Sequence, residues 1–259
     1  MIINTIILFL RDLLPIFILF GYLHVFIKRN EIAFSYLSPA LTLGVISSLL
    51  FFGIVPHVSE LFEGTGIERT YVALLLITYS GLFFINSTTS KSIFTSVKSK
   101  SLILVAAGTF IVFKASAFLI FFDVYFQQQG NSTNILIGCI IGLGICASFT
   151  TLFTFILTEL LESNKTLVVN ICWALFLAGQ LSQITIYLSQ VDLINIGPAV
   201  INFSTYIKDQ SEYGHVLKAL IGFEESPSKL FIFIYSLAFT LPFLAQLINT
   251  FLQRINHDE

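Results

Sequence analysis

Phe9-Leu-Arg-Asp-Leu-Leu-Pro-Ile-Phe-Ile-Leu-Phe-Gly-Tyr22 sets an arginine and an aspartate inside an otherwise apolar run. The run extends over about 3–27, and a spanning helix needs about 20 mostly apolar residues. An ionisable residue at the bilayer centre costs at least about 2.5–3.5 kcal/mol, so such residues face a bundle interior or a cavity and take partners. Working outward, further apolar runs cover about 36–56, 70–86, 101–126, 134–158, 167–190 and 230–252, which makes seven spans. The first run also sits where a signal peptide would. It is too long for one, it carries Arg11 and Asp12, and no small-residue cleavage site follows, so it reads as a true span.

Composition agrees with this reading. Of 259 residues, 56% are hydrophobic and only 11% charged, whereas a soluble domain carries about 25% charge. Too little polar surface is present to coat a water-soluble globule. A soluble enzyme, a disordered chain and a nucleic-acid binder with a basic face are all excluded. The expected class is an all-α polytopic membrane protein, a single membrane domain over 1–259 in a lipid bilayer. Cys139, Cys146 and Cys172 lie in apolar stretches and form no CxxC pair, so they read as packing residues.

Lysine and arginine in short loops set the orientation. Lys28, Arg29, Lys91, Lys98, Lys100, Lys165 and Arg254 follow spans one, three, five and seven, and only Arg69 follows span two or four. The N-terminus is therefore expected outside and the C-terminus inside. The outer face then carries Glu60, Glu63 and Glu68, and later Asp209, Glu212, Glu224 and Glu225. Such a face attracts cations. The 191–229 segment, with Pro198, Gly214, Gly222 and Pro227, is expected to be a partly helical external loop. A bacterial cytoplasmic membrane suits the short loops.

A second stretch, Val112-Phe-Lys-Ala-Ser-Ala-Phe-Leu-Ile-Phe-Phe-Asp-Val-Tyr125, resembles the first. Arg11 aligns with Lys114 and Tyr22 with Tyr125, and each stretch precedes a span containing Leu-Gly (Leu43-Gly44, Leu143-Gly144). Repeat one covers about 1–90 and repeat two about 91–190. Three spans is an odd number, so the halves are inverted, and a last span is added at the C-terminus. Inverted repeats are a transporter signature, with the site near midplane at the repeat interface. Arg11 and Lys114 are the basic residues deep inside spans. Adjacent helix residues point about 100° apart, so Asp12 is expected to pair poorly with Arg11, and partners are expected from other helices. Asp123 lies about 13 Å beyond Lys114 along the axis, too far to be its partner.

At these residues the chain resembles the oxidase-dependent iron permeases, the fungal high-affinity permease and its bacterial relatives. That family has seven spans and an Arg-Glu-x-x-Glu motif in spans one and four. Ile7-Leu-Phe-Leu-Arg-Asp-Leu-Leu-Pro15 resembles the first motif and Phe113-Lys-Ala-Ser-Ala-Phe-Leu-Ile-Phe-Phe122 the second. Glu60-Leu-Phe-Glu-Gly64 resembles the acidic entry to span three, and Gly214-His-Val-Leu-Lys-Ala-Leu-Ile-Gly-Phe223 with Ser226-Pro-Ser228 the segment before the last span. The likeness runs nearly end to end. It implies iron as substrate, no permanently bound cofactor, and a periplasmic or extracellular oxidase or iron-binding partner. Asp12 and Glu63 become the implied metal ligands, and Glu60 and Glu63 the external cation entry. Permeases often pair, so a homo-oligomer is also expected.

The motifs depart from the family. Carboxylates at i and i+3 share a helix face and offer hard oxygen donors suited to Fe(III). Here Arg11 and Lys114 keep the cations and Asp12 keeps one acid, but Pro15, Ala115 and Phe118 replace the other three. Gln180 and Gln183, at i and i+3 in span six, add neutral oxygens. The expected transport path is thus Arg11, Asp12, Lys114, Gln180 and Gln183. Glu159 and Glu162 read as a solvated helix end, and His24, His57, His215 and His257 as interfacial, loop or tail histidines. Asn86, Asn131 and Asn164 match the glycosylation pattern. No Walker loop, GxSxG or metal-ligand cluster is found, so no enzyme is expected. Three readings compete: a divergent iron permease, a transporter of another, anionic, solute, and a non-transporting subunit that keeps the permease fold.

Overall fold

The computed structural model describes residues 2–29, 37–87, 97–129 and 132–255. Of the residues singled out above, Lys91, Asn131 and His257 lie outside these. The protein is an all-α, integral, multi-pass membrane protein. Seven helices among the described residues are long and apolar enough to cross a bilayer. The first span is α1 (Ile2–Leu8), a π-helical turn (Phe9–Leu13) and α2 (Leu14–Arg29). Then follow α3 (Leu37–Gly64), α4 (Gly66–Ser87), α5 (Val97–Gln129), α6 (Ser132–Glu162), α7 (Thr166–Gln190), the short α8 (Glu212–Ile221) and α9 (Lys229–Ile255). Half or more of spans one, four and six is buried, against about a fifth of the other four, so those three helices form the centre.

The π turn has a local cause. Pro15 has no N–H, so an α-helix running through it would leave a carbonyl unpaired. The backbone instead widens by one residue, and the N–H of Leu14 donates to Phe9 O. The helix restarts with Pro15 in its first turn, where no N–H is needed. Cys146 Sγ donates a second, long bond to Phe9 O at 3.8 Å.

The packing is crossed. Span one lies against α6, and α5 lies against α3. Exchanging spans one with four and two with five maps one contact onto the other. Glycines permit both close approaches, as is usual where lipid supplies no hydrophobic drive. A Cβ on Gly44 would fall 2.7 Å from Ile111 Cδ1, and one on Gly142 would fall 2.7 Å from Phe9 Cγ. Gly144, matched to Gly44 by sequence, faces open space, so Gly142 holds the equivalent position. Threonine and tyrosine hydroxyls add cross-helix bonds. Thr78 Oγ1 and Thr109 Oγ1 lie 3.0 Å apart, and Tyr79 Oη donates to Ala238 O at 2.9 Å.

Residues 191–229 are partly helical, as expected, and they also pack into the bundle. Their helix α8 enters the bundle and packs on α7, α2 and the π turn. Ser211 caps its start, its Oγ accepting from Gly214 N at 3.1 Å. Gly222 ends it in the left-handed region at φ 68°. A Cβ on Gly179 would fall 2.5 Å from both Gly222 Cα and Gly222 N. Gly179 precedes the α7 end at Gln190 by about 16 Å along the axis, so the α8 terminus reaches well inside that end. Polar backbone at such depth is tolerated only when protein surrounds it. Tyr235 Oη supports it by donating to Ile221 O at 2.7 Å. The rest of the segment is tied by Val200 N to Pro227 O (3.0 Å) and Phe203 N to Glu225 O (2.7 Å), beside an isolated antiparallel bridge, Ala199–Ser228.

The glycine contact generates a prediction. Gly179→Ala or Gly222→Ala should lower the detergent melting temperature by about 5 °C or more and speed hydrogen exchange in 212–222. Gly144→Ala and Gly53→Ala, with no neighbour within 4 Å, should leave it unchanged or raise it.

Candidate functional site

A cavity of about 390 Å³ lies between spans one, three, four and six and α8. Arg11, Asp12, Lys114 and Gln183 line it, together with Glu68, Tyr71, Tyr187, Gln190, His215 and Lys218. Pro15, Ile67, Ala117, Ile120, Ile186 and Ala219 supply apolar wall. Of the expected path, Gln180 alone is set back, one turn behind Gln183.

Arg11 and Asp12 are paired to each other, contrary to the expectation that their partners come from other helices. Arg11 Nη2 lies 2.7 Å from Asp12 Oδ2, and Nε donates to both carboxylate oxygens at 3.1 Å. The wider π turn changes the angle between neighbours, and the long arginine stem closes the rest. The guanidinium also stacks over Phe121, 4.0 Å from the ring centroid. Asp12 is 6% exposed, and both its oxygens are occupied by Arg11.

Lys114 has different surroundings. It is 5% exposed, its Nζ donates to Gln183 Oε1 at 2.9 Å, and it lies 4.7 Å from the Phe113 ring centroid. Among the described residues no carboxylate lies within 4.0 Å of it. Gln183 Nε2 donates in turn to Gln180 Oε1 at 3.1 Å, and Gln180 Nε2 is buried without a partner. Asp123 accepts from Gln127 at 2.8 Å and takes no part in the cavity.

Aromatic rings wall the same space. Tyr71 packs edge-on against Phe113 (5.1 Å) and Tyr187 (5.5 Å), and its hydroxyl accepts from Ser116 Oγ at 3.3 Å. Phe118, which stands where the second motif would carry an acid, instead packs edge-on against Phe9 at 4.9 Å and does not line this cavity.

The acids expected at the entry are placed elsewhere. Glu60 and Glu63 are exposed, and Glu63 lies at φ 62° in the non-helical end of α3, with Leu61 extended and Phe62 at φ 54°. Neither lines the cavity. Glu68, in the first turn of α4, does, and its Oε2 is buried without a hydrogen-bond partner. Asp12 and Glu63 therefore do not share a site. Among the described residues no three His, Cys, Asp or Glu side chains gather to hold a metal ion.

α8 brings His215 and Lys218 into the wall. Lys218 Nζ bonds Glu224 Oε2 at 2.8 Å and lies 3.5 Å from Asp209 Oδ2. Burial raises the Glu224 carboxyl above its ordinary range, and Asp209 adds to this while Lys218 opposes it. His215 Nδ1 is buried without a partner. Burial first, then Arg11 and Lys218, hold the His215 imidazole below its ordinary pKa of 6.5, against the pull of Asp12 and Asp209. It is neutral at pH 7. In all, the lining carries three cations (Arg11, Lys114, Lys218) and two carboxylates (Asp12, Glu68).

In comparisons with protein-family models, with curated proteins and with solved structures, nothing matches this chain.

Sequence reading missed Glu68, Tyr71, Tyr187, His215 and Lys218 as cavity residues. Their spacing carried a signal. Glu68 and Tyr71 are i, i+3, Gln183 and Tyr187 are i, i+4, and His215, Lys218 and Ala219 fall on one face of α8.

Two predictions follow from these contacts. Arg11→Gln leaves Asp12 buried and unpaired, which should destabilise the protein by about 3 kcal/mol; that is the low end for an orphaned charge, because Arg11 itself is 35% exposed. Arg11→Gln/Asp12→Asn should recover most of it in detergent unfolding. Because the folded-state pKa of His215 is lowered, its contribution is complete above about pH 6.5 and is lost as pH falls below that value. Acidification to pH 5.5 should therefore lower the protection factors of α8 amides, with the slower intrinsic exchange at low pH divided out, and His215→Gln should remove that dependence.

Proposed function

We propose that the protein is a permease whose solute carries a carboxylate or similar anionic group, bound in the cavity at Lys114. One observation carries this reading. Lys114 is buried at membrane depth with a neutral amide as its polar partner, while Asp12, the carboxylate of the same motif pair, is taken up by Arg11. A buried cation without a counter-charge is costly, and a bound anion supplies the missing charge. The crossed packing of spans one and four on α6 and α3 supports a transporter, since inverted halves place a solute site at their interface. The distribution of lysine and arginine supports an outside N-terminus in a bacterial cytoplasmic membrane, with the cavity mouth and α8 facing outward. No nucleotide-binding motif is present in the sequence, so a gradient or a partner supplies the energy.

Iron transport is the second reading, favoured by Asp12 and Glu68 lining one cavity. Both are hard oxygen donors. On that reading Arg11 must release Asp12, and the oxidase or iron-binding partner implied by the family resemblance delivers the ion.

Proteoliposome uptake separates the two. Small labelled carboxylates, alanine and lactate among them, are offered alongside Fe(II) and Fe(III) to wild type, Lys114→Gln and Asp12→Asn. Saturable carboxylate uptake should fall about ten-fold or more in Lys114→Gln and survive in Asp12→Asn. Iron uptake that is lost in Asp12→Asn and kept in Lys114→Gln would overturn the anion reading. No uptake of either by folded protein would favour a non-transporting subunit.

A further inference from the structure

The cavity holds an uncompensated acid as well as an uncompensated base. Glu68 Oε2 is buried with no hydrogen-bond partner, and no lysine, arginine or histidine nitrogen among the described residues lies within 4.0 Å of its carboxylate. Its neighbour Arg69 does not serve it, because that guanidinium lies over Phe62, 4.7 Å from the ring centroid. Lys114, on the adjacent helix, has no carboxylate within the same reach. Two opposite charges in one low-dielectric space attract strongly, yet their helices hold these two apart. The Tyr71 hydroxyl meets Ser116 Oγ at 3.3 Å, which fixes the register of α4 against α5. Glu68 lies one turn, about 4.5 Å, toward the start of α4 from Tyr71, and Lys114 lies about 3 Å toward the start of the antiparallel α5 from Ser116, which is the opposite direction. The charges therefore flank the Tyr71–Ser116 contact, with Tyr71 and Tyr187 beside the path between them.

We infer that the cavity takes a small zwitterion, a molecule with a carboxylate and an ammonium a few bonds apart, its carboxylate on Lys114 and its ammonium on Glu68. Such a solute satisfies both charges at once, which a simple carboxylate or amine does not. The ammonium sits against tyrosine faces, which favour cations. Ile67, Ile120 and Ile186 line the remainder, and a space of about 390 Å³ suits a molecule of amino-acid size with a short apolar side chain. The inference rests on the permease reading above and narrows its substrate class.

Alanine and lactate test it, because they share size and carboxylate while lactate carries a hydroxyl in place of the ammonium. Each is titrated into the purified full-length protein in detergent, with thermal stabilisation as the readout, beside isopropylamine, which lacks the carboxylate. Alanine should bind about ten-fold or more tighter than either analogue. In Glu68→Gln, alanine should weaken to the level of lactate, and Glu68→Asp should restore the preference. Lys114→Gln should weaken both alanine and lactate. Lactate binding as tightly as alanine in wild type overturns the zwitterion and leaves the anion permease standing. No stabilisation by alanine or lactate, with iron uptake in liposomes, overturns both. Should Glu68→Gln fail to fold, the wild-type ratio of alanine to lactate decides alone.

Discussion

A charge inside the hydrocarbon layer must find its partner within the protein, and the Arg11–Asp12 pair meets that demand within two residues. Its geometry depends on the π turn at Phe9–Leu13, and that turn depends on the missing N–H of Pro15. The same widened turn is where α8 docks and α6 packs, with Cys146 adding a second bond to the Phe9 carbonyl. One irregular turn thus sets the centre of the bundle, the floor of the cavity and the seat of the inserted helix.

Spans one and four answer the same demand differently. In span one the two charges close on each other, because Asp12 follows Arg11 directly. In span four, Ala115 follows Lys114, and the polar partner of Lys114 is a glutamine from another helix. Glu68 adds an acid that nothing on its own helix balances. The difference leaves one free charge of each sign in a single cavity.

Much of this was legible in the sequence. Hydropathy located the seven spans, because each is a continuous apolar run with few charges. The alignment of Arg11 with Lys114 placed both at one cavity. The failures have physical causes. The Arg11–Asp12 pair was missed because an ideal helix turns neighbours apart, and the π turn is invisible to a pattern based on 3.6 residues. Glu60 and Glu63 drew notice because they are acidic and precede a span; the left-handed turn at Phe62 and Glu63 leaves them exposed and off the cavity wall, and the unremarked Glu68 lines it. Gly144 was matched to Gly44 by its Leu-Gly context, but close packing falls on Gly142 because a one-turn choice of face is not fixed by a dipeptide. The insertion of α8 depends on Gly179 meeting Gly222, a contact between residues far apart in the chain, and no local pattern encodes it.

The crossed packing also bears on how the chain is made. Span one's main neighbour, α6, is synthesised well after it, so span one must wait in lipid or at the insertion machinery before it finds that partner. Its two charges neutralise each other without help during the wait. Lys114 is in the opposite position, since Gln183 does not emerge until span six does. Until then the fourth span carries an ammonium that no later residue has yet met. That leaves the fourth span's ammonium without its amide partner until α7 is made.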